Sequence, residues 1–335
     1  MGHKPMQPPK FWKNPPDQAG IWPSVLTPLS CIWSLATAWR WRQGAHATVG
    51  IPVICIGNVN LGGTGKTPTV IATVMRLQAL GKVPHVVSKG YKGQLVGPVQ
   101  VEEAKHNADD VGDEPLLLAA FAPTWVAKDR LSGALAAKAA GADVIVLDDG
   151  LQNPTLAKDL TVLVVDAEVG FGNGRVMPSG PLRETVEDAV AKTDVLLTIG
   201  PNTDVHSAFV DQWDQVKGLP HVSSTIMPLQ TGMDWDGLQA LAFAGIGRPE
   251  KFFRTLNELG VDTKATRSFD DHQKIPTALL ARLEKEAWDL GVQLVTTEKD
   301  AVRLPKDWQQ KVLTVPVRLE LHETDEYDQA LKAIF

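Results

Sequence analysis

Apolar runs of strand length alternate with helical patterns along much of this chain. The runs lie at residues 52–56, 84–88, 144–147, 162–165 and 195–199. Between them, residues 115–121 and 131–140 are rich in Ala and Leu at helical spacing. Continuous apolar runs that alternate with helices are typical of parallel strands buried on both faces. The pattern predicts an α/β domain over residues 46–222, built on a doubly wound, mostly parallel sheet.

A second, smaller α/β unit is predicted after this domain. The alternation weakens at residues 220–237, and then a strand at 240–244, a turn at 245–247 and a helix at 249–259 follow. Strands at 292–297 and 312–317 come later, the last returning toward the junction. Since 335 residues exceed the usual size of one domain, we assign residues 223–335 to this unit with its linker strands.

The N-terminal segment, residues 1–45, is rich in Trp and Pro and carries a helical pattern. Thr27 and Pro28 suit an N-cap and a first helical position, which predicts a helix from there to about Trp41. Its apolar side chains are followed by Arg40 and Arg42. Such a helix is too short to span a bilayer, which needs about 20 apolar residues. It either lies in a membrane interface or packs on the body of the protein.

Composition narrows the class of protein. Hydrophobic residues make up 44% and charged residues 21%, as in a globular enzyme with a substantial core. The net charge of -6 argues against a nucleic-acid partner. Cys31 and Cys55 are far apart, so neither a disulfide framework nor a zinc site is indicated. We also expect no secretory signal.

A glycine-rich segment joins the first strand to the next helix and predicts a nucleotide-binding phosphate loop. Its glycines let backbone N–H groups converge on phosphate oxygens, Lys66 adds a charge, and the Thr67 hydroxyl suits Mg²⁺. Asn60 stands where the strict pattern has glycine, and the Gly62-Gly63 pair is interpreted as compensating. A flexible glycine turn with an incidental lysine is the alternative. The candidate nucleotide-binding residues are Asn58, Gly62, Gly63, Thr64, Gly65, Lys66 and Thr67.

Two acidic clusters are candidates for metal binding and acid–base chemistry. Asp148 and Asp149 end the strand at 144–147, where a carboxylate holds Mg²⁺ in phosphate-loop enzymes; a simple polar turn is the alternative. In the cluster at 109–115, Asp113 is a candidate base and Glu114 a further metal candidate, although N-capping also explains acids before a helix. His272 follows two aspartates, and a surface loop is its plainer interpretation.

Taken in order, these motifs resemble the tetraacyldisaccharide 4'-kinases of the lipid A pathway. The resemblance covers most of the chain up to about Leu304, and it is specific because many motifs occur in the right order. The motifs are Gly57-Asn58 with Gly62-Gly63 and Gly65-Lys66-Thr67-Pro68, Ser88-Lys89-Gly90-Tyr91, Val111-Gly112-Asp113-Glu114-Pro115, Asp148-Asp149-Gly150-Leu151-Gln152, Gly180-Pro181-Leu182-Arg183-Glu184, Ala242-Phe243-Ala244-Gly245-Ile246, Asp271-His272 and Thr297-Glu298-Lys299-Asp300-Ala301.

The resemblance implies phosphoryl transfer from ATP, with Mg²⁺, to the 4'-hydroxyl of an acylated glucosamine disaccharide 1-phosphate, giving lipid IVA. It implies a peripheral enzyme at the cytoplasmic face of a bacterial inner membrane, docked through the N-terminal helix, with no obligate protein partner. Asp113 and His272 are implied as a base dyad acting with Lys66, and Asp148 and Asp149 serve Mg²⁺ and the phosphates. Because His272 lies in the second domain, domain closure would complete the dyad.

On the acceptor side the resemblance implies five substrate-binding residues, Lys89, Tyr91, Gln152, Arg183 and Glu184. The chain departs from the family where Lys89 replaces arginine, Lys92 replaces glycine and Asn153 replaces histidine. Lysine at position 89 exchanges a forked guanidinium for a point charge. No role is assigned to Asn153.

Two other classes share a phosphate loop and strand-end acids. One is a membrane-associated switch ATPase or GTPase that transfers no phosphate to a small molecule. The other is a non-catalytic nucleotide-binding module. Asp113, His272 and dependence of nucleotide turnover on a lipid acceptor would distinguish a kinase from both.

Overall fold

The computed structural model describes residues 8–335 and contains two β-sheets. Residues 1–7 of the predicted N-terminal segment lie outside the described residues. The strands are β1 (Val53–Gly57), β2 (Pro84–Ser88), β3 (Val99–Gln100), β4 (Thr124–Val126), β5 (Val144–Asp148), β6 (Leu160–Asp166), β7 (Val195–Ile199), β8 (His221–Pro228), β9 (Gln239–Ala244), β10 (Asp262–Ser268), β11 (Gln293–Thr297), β12 (Leu313–Val315) and β13 (Val317–Leu321). The helices are α1 (Ile21–Arg42), α2 (Lys66–Ala79), α3 (Ala108–Val111), α4 (Asp113–Ala119), α5 (Arg130–Ala139), α6 (Val186–Val190), α7 (Thr203–Gln212), α8 (Pro249–Glu258), α9 (Thr277–Leu290), α10 (Glu298–Ala301), α11 (Lys306–Gln309) and α12 (Asp325–Ala333).

The large sheet has nine strands in the order β13-β8-β7-β6-β1-β5-β2-β4-β3. The strands from β8 to β4 are mutually parallel, and the two edge strands β13 and β3 pair in the antiparallel sense. Strand β1 lies between β5 and β6, so the loop that follows β1 emerges at the centre of the sheet. The predicted doubly wound, mostly parallel sheet is confirmed.

Both faces of the large sheet are covered by apolar side chains. On one face, α2 packs through Val70, Val74 and Leu77, next to Leu331 of α12. On the other face, Ala134 of α5 belongs to a second core. The continuous apolar runs of the strands follow from this two-sided burial, because each strand has no polar face.

The small sheet has four parallel strands in the order β10-β9-β11-β12. Phe252 and Leu256 of α8 pack on one face, and Leu280 and Leu283 of α9 pack on the other. The smaller unit is therefore a second α/β layer arrangement with its own two cores.

The strand predicted at 312–317 is wrong as a single element. Strand β12 belongs to the small sheet, whereas β13 begins after Pro316 and pairs with β8 in the large sheet. Proline has no N–H to continue a ladder, so the chain changes sheets there. Strands β8 and β13 thus link the two sheets, and residues 317–335, assigned above to the smaller unit, pack on the large sheet.

Helix α1 begins seven residues earlier than the sequence predicted. Gly20 precedes its first turn with a φ of 83°, and Thr27 lies inside the helix, where its hydroxyl donates to the Pro23 carbonyl at 2.9 Å. At 22 residues, or about 33 Å, the helix is long and apolar enough to cross a membrane by length and composition. The expectation that it is too short is therefore wrong.

Helix α1 touches the body of the protein along a narrow seam. Its buried residues are Pro23 and Ser30, and the Ser30 hydroxyl donates to the Val176 carbonyl at 2.8 Å. The Trp33 indole donates to the Arg183 carbonyl at 2.9 Å. The rest of the helix presents exposed apolar side chains, namely Ile21, Trp22, Val25, Leu29, Ile32, Leu35 and Trp39.

Candidate active site

The predicted phosphate loop connects β1 to α2 and is held by a network around Asn58. The Asn58 amide donates to the Thr64 hydroxyl at 2.9 Å and to the Asn60 carbonyl at 3.0 Å. Its oxygen accepts from Lys66 Nζ at 3.2 Å. The loop thus orients the Lys66 ammonium at the first turn of α2, where the helix dipole also favours an anion.

Three glycines give the loop its shape. Gly65 has a φ of 91°, and a Cβ there would lie 2.3 Å from Ile199 Cδ1. Gly62 also has a positive φ, and a Cβ at Gly62 or Gly63 would meet nothing within 4 Å. Gly65 allows the close packing against Ile199 in this backbone conformation. Gly62 and Gly63 leave open space above the loop, as bound phosphates need.

Asn60, which departs from the strict loop pattern, is a tertiary anchor. Its side chain is buried, and its amide donates to the Gly170 carbonyl at 3.0 Å. Glycine has no side chain with which to make this bond. The departure therefore ties the phosphate loop to the segment after β6.

The acids at the end of β5 lie in two different environments. Asp148 is buried, and its Oδ2 accepts from the Ser88 hydroxyl at 2.9 Å. Burial, reinforced by the charges of Glu114 and Asp149, raises the pKa of Asp148 to about 7. Burial by itself would also raise the pKa of Asp149, but the charges of Lys66 and Arg183 hold that pKa below its usual value.

The Asp148 environment fits a divalent cation. Within the described part of the chain, Asp148 Oδ1 is buried and has no hydrogen-bond partner. A buried, unpartnered carboxylate oxygen is costly unless a cation satisfies it. Thr67 and Glu114 line the cleft between the two units, and the charge of Glu114 acts on Asp148.

Asp113 and His272, which are 159 residues apart in sequence, form a direct pair. His272 Nδ1 lies 2.8 Å from Asp113 Oδ2 and 3.1 Å from Oδ1. Gly112, with a φ of 92°, turns the chain so that Asp113 begins α4; a Cβ on Gly112 would lie 2.7 Å from the Tyr91 carbonyl. His272 has a φ of 58°, an uncommon conformation for a non-glycine residue.

Lys299 and Arg303 lie next to the Asp113–His272 pair. The sequence motifs predicted no role for either residue. Lys299 Nζ lies 3.4 Å from His272 Nε2 and 3.1 Å from Glu114 Oε1, and Arg303 Nε lies 3.7 Å from Asp113 Oδ2. Burial raises the pKa of Asp113, but the hydrogen bond from His272 and the charge of Lys299 outweigh it and lower that pKa. The position of Lys299 just after β11 was the available signal, since strand ends form the site edge.

The predicted acceptor-side residues form a chain beside Asp149. Arg183 Nη1 donates to Asp149 Oδ1 at 2.8 Å and to Gln152 Oε1 at 3.1 Å, and Gln152 donates to Glu184 Oε1 at 2.9 Å. Glu184 is buried and also pairs with Lys192, so its carboxylate is held inside the protein.

Tyr91 and Lys89 belong to the segment after β2. Tyr91 lies next to the Asp113–His272 dyad. The exposed Tyr91 ring meets the His272 imidazole edge to face, with centroids 5.6 Å apart. Lys89 is exposed, and its carbonyl accepts from Lys128 Nζ at 3.2 Å.

The two units enclose one cleft of about 510 Å³ between their strand ends. Gly63, Lys66 and Thr67 line it from the large unit, and Arg248 and Lys299 line it from the smaller unit. The arrangement combines an anion-binding loop, a buried carboxylate suited to a cation and a carboxylate–imidazole pair, which together suit phosphoryl transfer to a hydroxyl.

The chain is similar to known proteins over nearly its whole length. A family model described as Tetraacyldisaccharide-1-P 4'-kinase matches residues 22–335. A tetraacyldisaccharide 4'-kinase of Dinoroseobacter shibae is 55% identical over 331 residues, covering 98% of each chain. A protein of the same name from Jannaschia sp. is 51% identical over 329 residues, covering 98% of this chain and 99% of the other.

A solved structure has a similar fold. The crystal structure of LpxK from Aquifex aeolicus, described as an apo form in complex with ATP, matches with a TM-score of 0.74. The match covers 93% of this chain and 99% of the other at 24% identity.

Proposed function

This chain belongs to the Tetraacyldisaccharide-1-P 4'-kinase family, and we propose that it transfers the γ-phosphate of ATP to the 4'-hydroxyl of a tetraacylated glucosamine disaccharide 1-phosphate, giving lipid IVA. The observation that carries the proposal is the Asp113–His272 pair, because Glu114 and Asp271, the residues next to it in sequence, line the cleft together with the phosphate loop. A switch ATPase needs the loop and the strand-end acids, but it needs no base for an acceptor hydroxyl.

The phosphate loop and Lys66 bind the nucleotide phosphates in this proposal. Backbone N–H groups around Gly62 and Gly63 face open space, and the Lys66 ammonium is held by Asn58 at 3.2 Å. Fixed donors of this kind stabilise the charge that develops on the transferred phosphoryl group.

Asp148, with Thr67 and Glu114, would hold Mg²⁺, and Asp149 would orient Lys66 and Arg183. The bound cation would neutralise charge on the phosphate oxygens. Because Asp149 is already paired with two cations, Asp148 is the carboxylate that has an oxygen free for metal.

Asp113 and His272 act as a base dyad on the acceptor hydroxyl. Asp113 stays ionised because its neighbours lower its pKa, and it fixes the orientation of the imidazole through Nδ1. A pair held in this way can accept the hydroxyl proton while the oxygen attacks in line. Lys299 contacts both the dyad and Glu114 and so connects the base to the metal side.

We expect the acceptor sugar to contact two groups of residues, namely Arg183 and Gln152 beside Asp149, and the Lys89–Tyr91 segment, whose Tyr91 ring lies beside His272. Arg183 and Gln152 present polar groups next to Asp149, and Tyr91 offers an exposed ring beside His272. Glu184, being buried, positions Gln152.

The phosphoryl-transfer proposal is tested by following labelled γ-phosphate from Mg-ATP to a tetraacylated disaccharide 1-phosphate in mixed micelles. Wild type should label the lipid, and Asp113→Ala should label almost none. Asp109→Ala is the matched control, because this exposed acid pairs with Lys274 outside the dyad. Phosphate release that is equal with and without lipid, with no labelled lipid, would support the switch ATPase instead.

The exposed apolar side chains of α1 support docking at the cytoplasmic face of a bacterial inner membrane. Ile32 and Trp39 are 64% and 68% exposed, and Arg40 and Arg42 close the helix with positive charge. Tryptophan and arginine are favoured at a lipid interface.

The docking is tested with anionic phospholipid vesicles. The double variant Ile32→Ser and Trp39→Ser should reduce vesicle binding roughly 30-fold or more, since the two changes together remove about 2–4 kcal/mol of buried apolar contact. Trp288→Ser is the control, because this side chain is 85% exposed on the smaller unit. Equal binding by all variants would exclude α1 as the docking element.

A further inference from the structure

A second charged cluster, which the reaction described above does not use, joins the two units on the other side of the phosphate loop. Asp166 ends β6 and Glu168 follows it, with side chains only 8% and 19% exposed. Strand β6 is a direct neighbour of β1, so these acids lie at the sheet edge from which the phosphate loop emerges.

Three cations of the smaller unit meet these acids. Arg248 lies 2.8 Å from Asp166 and 3.0 Å from Glu168, and Lys251 lies 2.7 Å and 2.9 Å from the same two carboxylates. Arg254 adds a contact to Glu168 at 3.3 Å. Because every pair crosses between the sheets, each depends on the smaller unit being closed over the large one.

The turn before α8 lies close to the phosphate loop. A Cβ on Gly247, the residue before Arg248, would lie 3.6 Å from the backbone nitrogen of Gly63. Arg248 and Lys251 line the cleft together with Lys66. The cluster therefore determines how far the 245–247 turn stands from the loop that binds phosphate.

We propose that Asp166 and Glu168, with Arg248, Lys251 and Arg254, form an electrostatic latch that holds the smaller unit closed and so positions His272 for the reaction. The inference rests on the proposed function for the reaction that closure serves. The dyad and the ion pairs around it, such as Lys299 with Glu114, hold the smaller unit on one side of the loop only. A second set of contacts holds it on the opposite side of the loop, so these are positioning residues.

The latch is strong enough to matter because it is partly buried and networked. Isolated exposed ion pairs contribute about 0–1 kcal/mol, but shared carboxylates with low exposure are screened less by water and salt. Burial by itself would raise the pKa of Glu168, yet the hydrogen bond from Lys251 and the three cations lower it. Glu168 is therefore charged at neutral pH.

The test uses charge reversal and its rescue, with spin labels on Ala139→Cys of α5 and Lys285→Cys of α9 in a Cys31→Ser background. Wild type should give one narrow distance distribution. Glu168→Lys and Lys251→Glu should each broaden it toward longer distances. The double variant should be less disturbed than the sum of the two single effects, because the 168–251 attraction is restored, although position 168 still faces Arg248 and Arg254 and position 251 still faces Asp166. Asp166 is left unchanged, because it also accepts from the Glu168 backbone.

The same variants are assayed with Mg-ATP and the lipid acceptor. Because the nucleotide cleft is lined by both units, bound ATP itself favours closure. Each single reversal should therefore raise KM for ATP roughly tenfold, which corresponds to about 1.4 kcal/mol, and leave kcat at saturating ATP within about twofold. Glu284→Lys is the control, since Glu284 pairs with Lys311 inside the smaller unit. If a reversed chain fails to fold, Glu168→Gln and Lys251→Gln replace it, with smaller changes expected in the same direction.

Two results would overturn the latch. One is an unchanged distance distribution in both single variants. The other is a double variant whose effect is the simple sum of the two single effects, which would mean that positions 168 and 251 act independently, for instance on the nucleotide, and not through their contact. Because the distance measurement needs no phosphoryl transfer, a chain that fails to label the lipid would count against the proposed reaction and leave the latch to be judged independently.

Discussion

Two clusters on opposite sides of the phosphate loop have the same charge arrangement but differ in their chemistry. In the dyad cluster, Asp113 and Glu114 of the large unit meet His272 and Lys299 of the smaller one. In the latch cluster, Asp166 and Glu168 meet Arg248, Lys251 and Arg254. Both place acids on the large unit and cations or imidazole on the smaller one, so both favour closure.

The difference is that the dyad cluster contains an imidazole, the side chain most often used for general-base chemistry, whereas the latch cluster pairs its acids with guanidinium and ammonium groups. The dyad cluster is also more deeply buried, with Asp113 5% and His272 12% exposed against 28% for Arg248. One arrangement of charges therefore serves chemistry on one side and positioning on the other.

The largest effect that separates the two clusters is expected from His272→Ala. Loss of the imidazole should lower kcat by roughly 10²–10⁴, the range for general-base removal, with little change in KM for ATP. Steady-state kinetics with the lipid acceptor measure both. Lys274→Ala is the control, as an exposed residue of the same segment. Full turnover in His272→Ala would remove the distinction between the clusters.

An intermediate effect is expected from Lys299→Met. The charge of Lys299 helps to lower the pKa of Asp113, so its loss should raise that pKa. A carboxylate that must be ionised then becomes protonated at higher pH, and the acidic limb of the kcat/KM profile should move upward. Rate profiles between pH 4 and pH 9 measure the shift. Lys311→Ala should leave the limb in place, because Lys311 pairs with Glu284 away from the cleft.

The smallest effect is expected from salt. The more exposed latch pairs should weaken as ionic strength rises, because screening acts mainly on solvent-accessible charges. Between about 0.05 and 0.5 M salt, KM for ATP should rise a fewfold in wild type and less in Glu168→Gln. The pH profile of kcat/KM should not change. An equal rise in both proteins would assign the salt effect to the nucleotide instead.

Much of the fold could be predicted because its signals are local. The strands at 84–88 and 195–199 coincide with β2 and β7, and the helix predicted from residue 249 begins there. Apolar runs and glycine turns act over a few residues, so periodicity reveals them. The elements that were missed, such as β4 and β10, are short or partly exposed and have no continuous apolar run.

Two elements were misplaced, and each contains a proline. Thr27-Pro28 has the composition of a helix start, yet α1 runs through it because its first turn is already formed from Ile21. Pro316 lies inside an apolar run, and only the pairing partners show that the run divides between two sheets.

The sequence by itself predicted the phosphate loop and the strand-end acids from residue type and spacing, and it indicated Asp113 and His272 as a dyad only through the resemblance to the kinase family. Only the tertiary structure decided that Asp113 meets His272, that Asn60 anchors the loop to Gly170, and that Asp166 and Glu168 face three cations. Such contacts join residues that are distant along the chain. Their energies depend on distance and burial in the folded state, which no local pattern encodes.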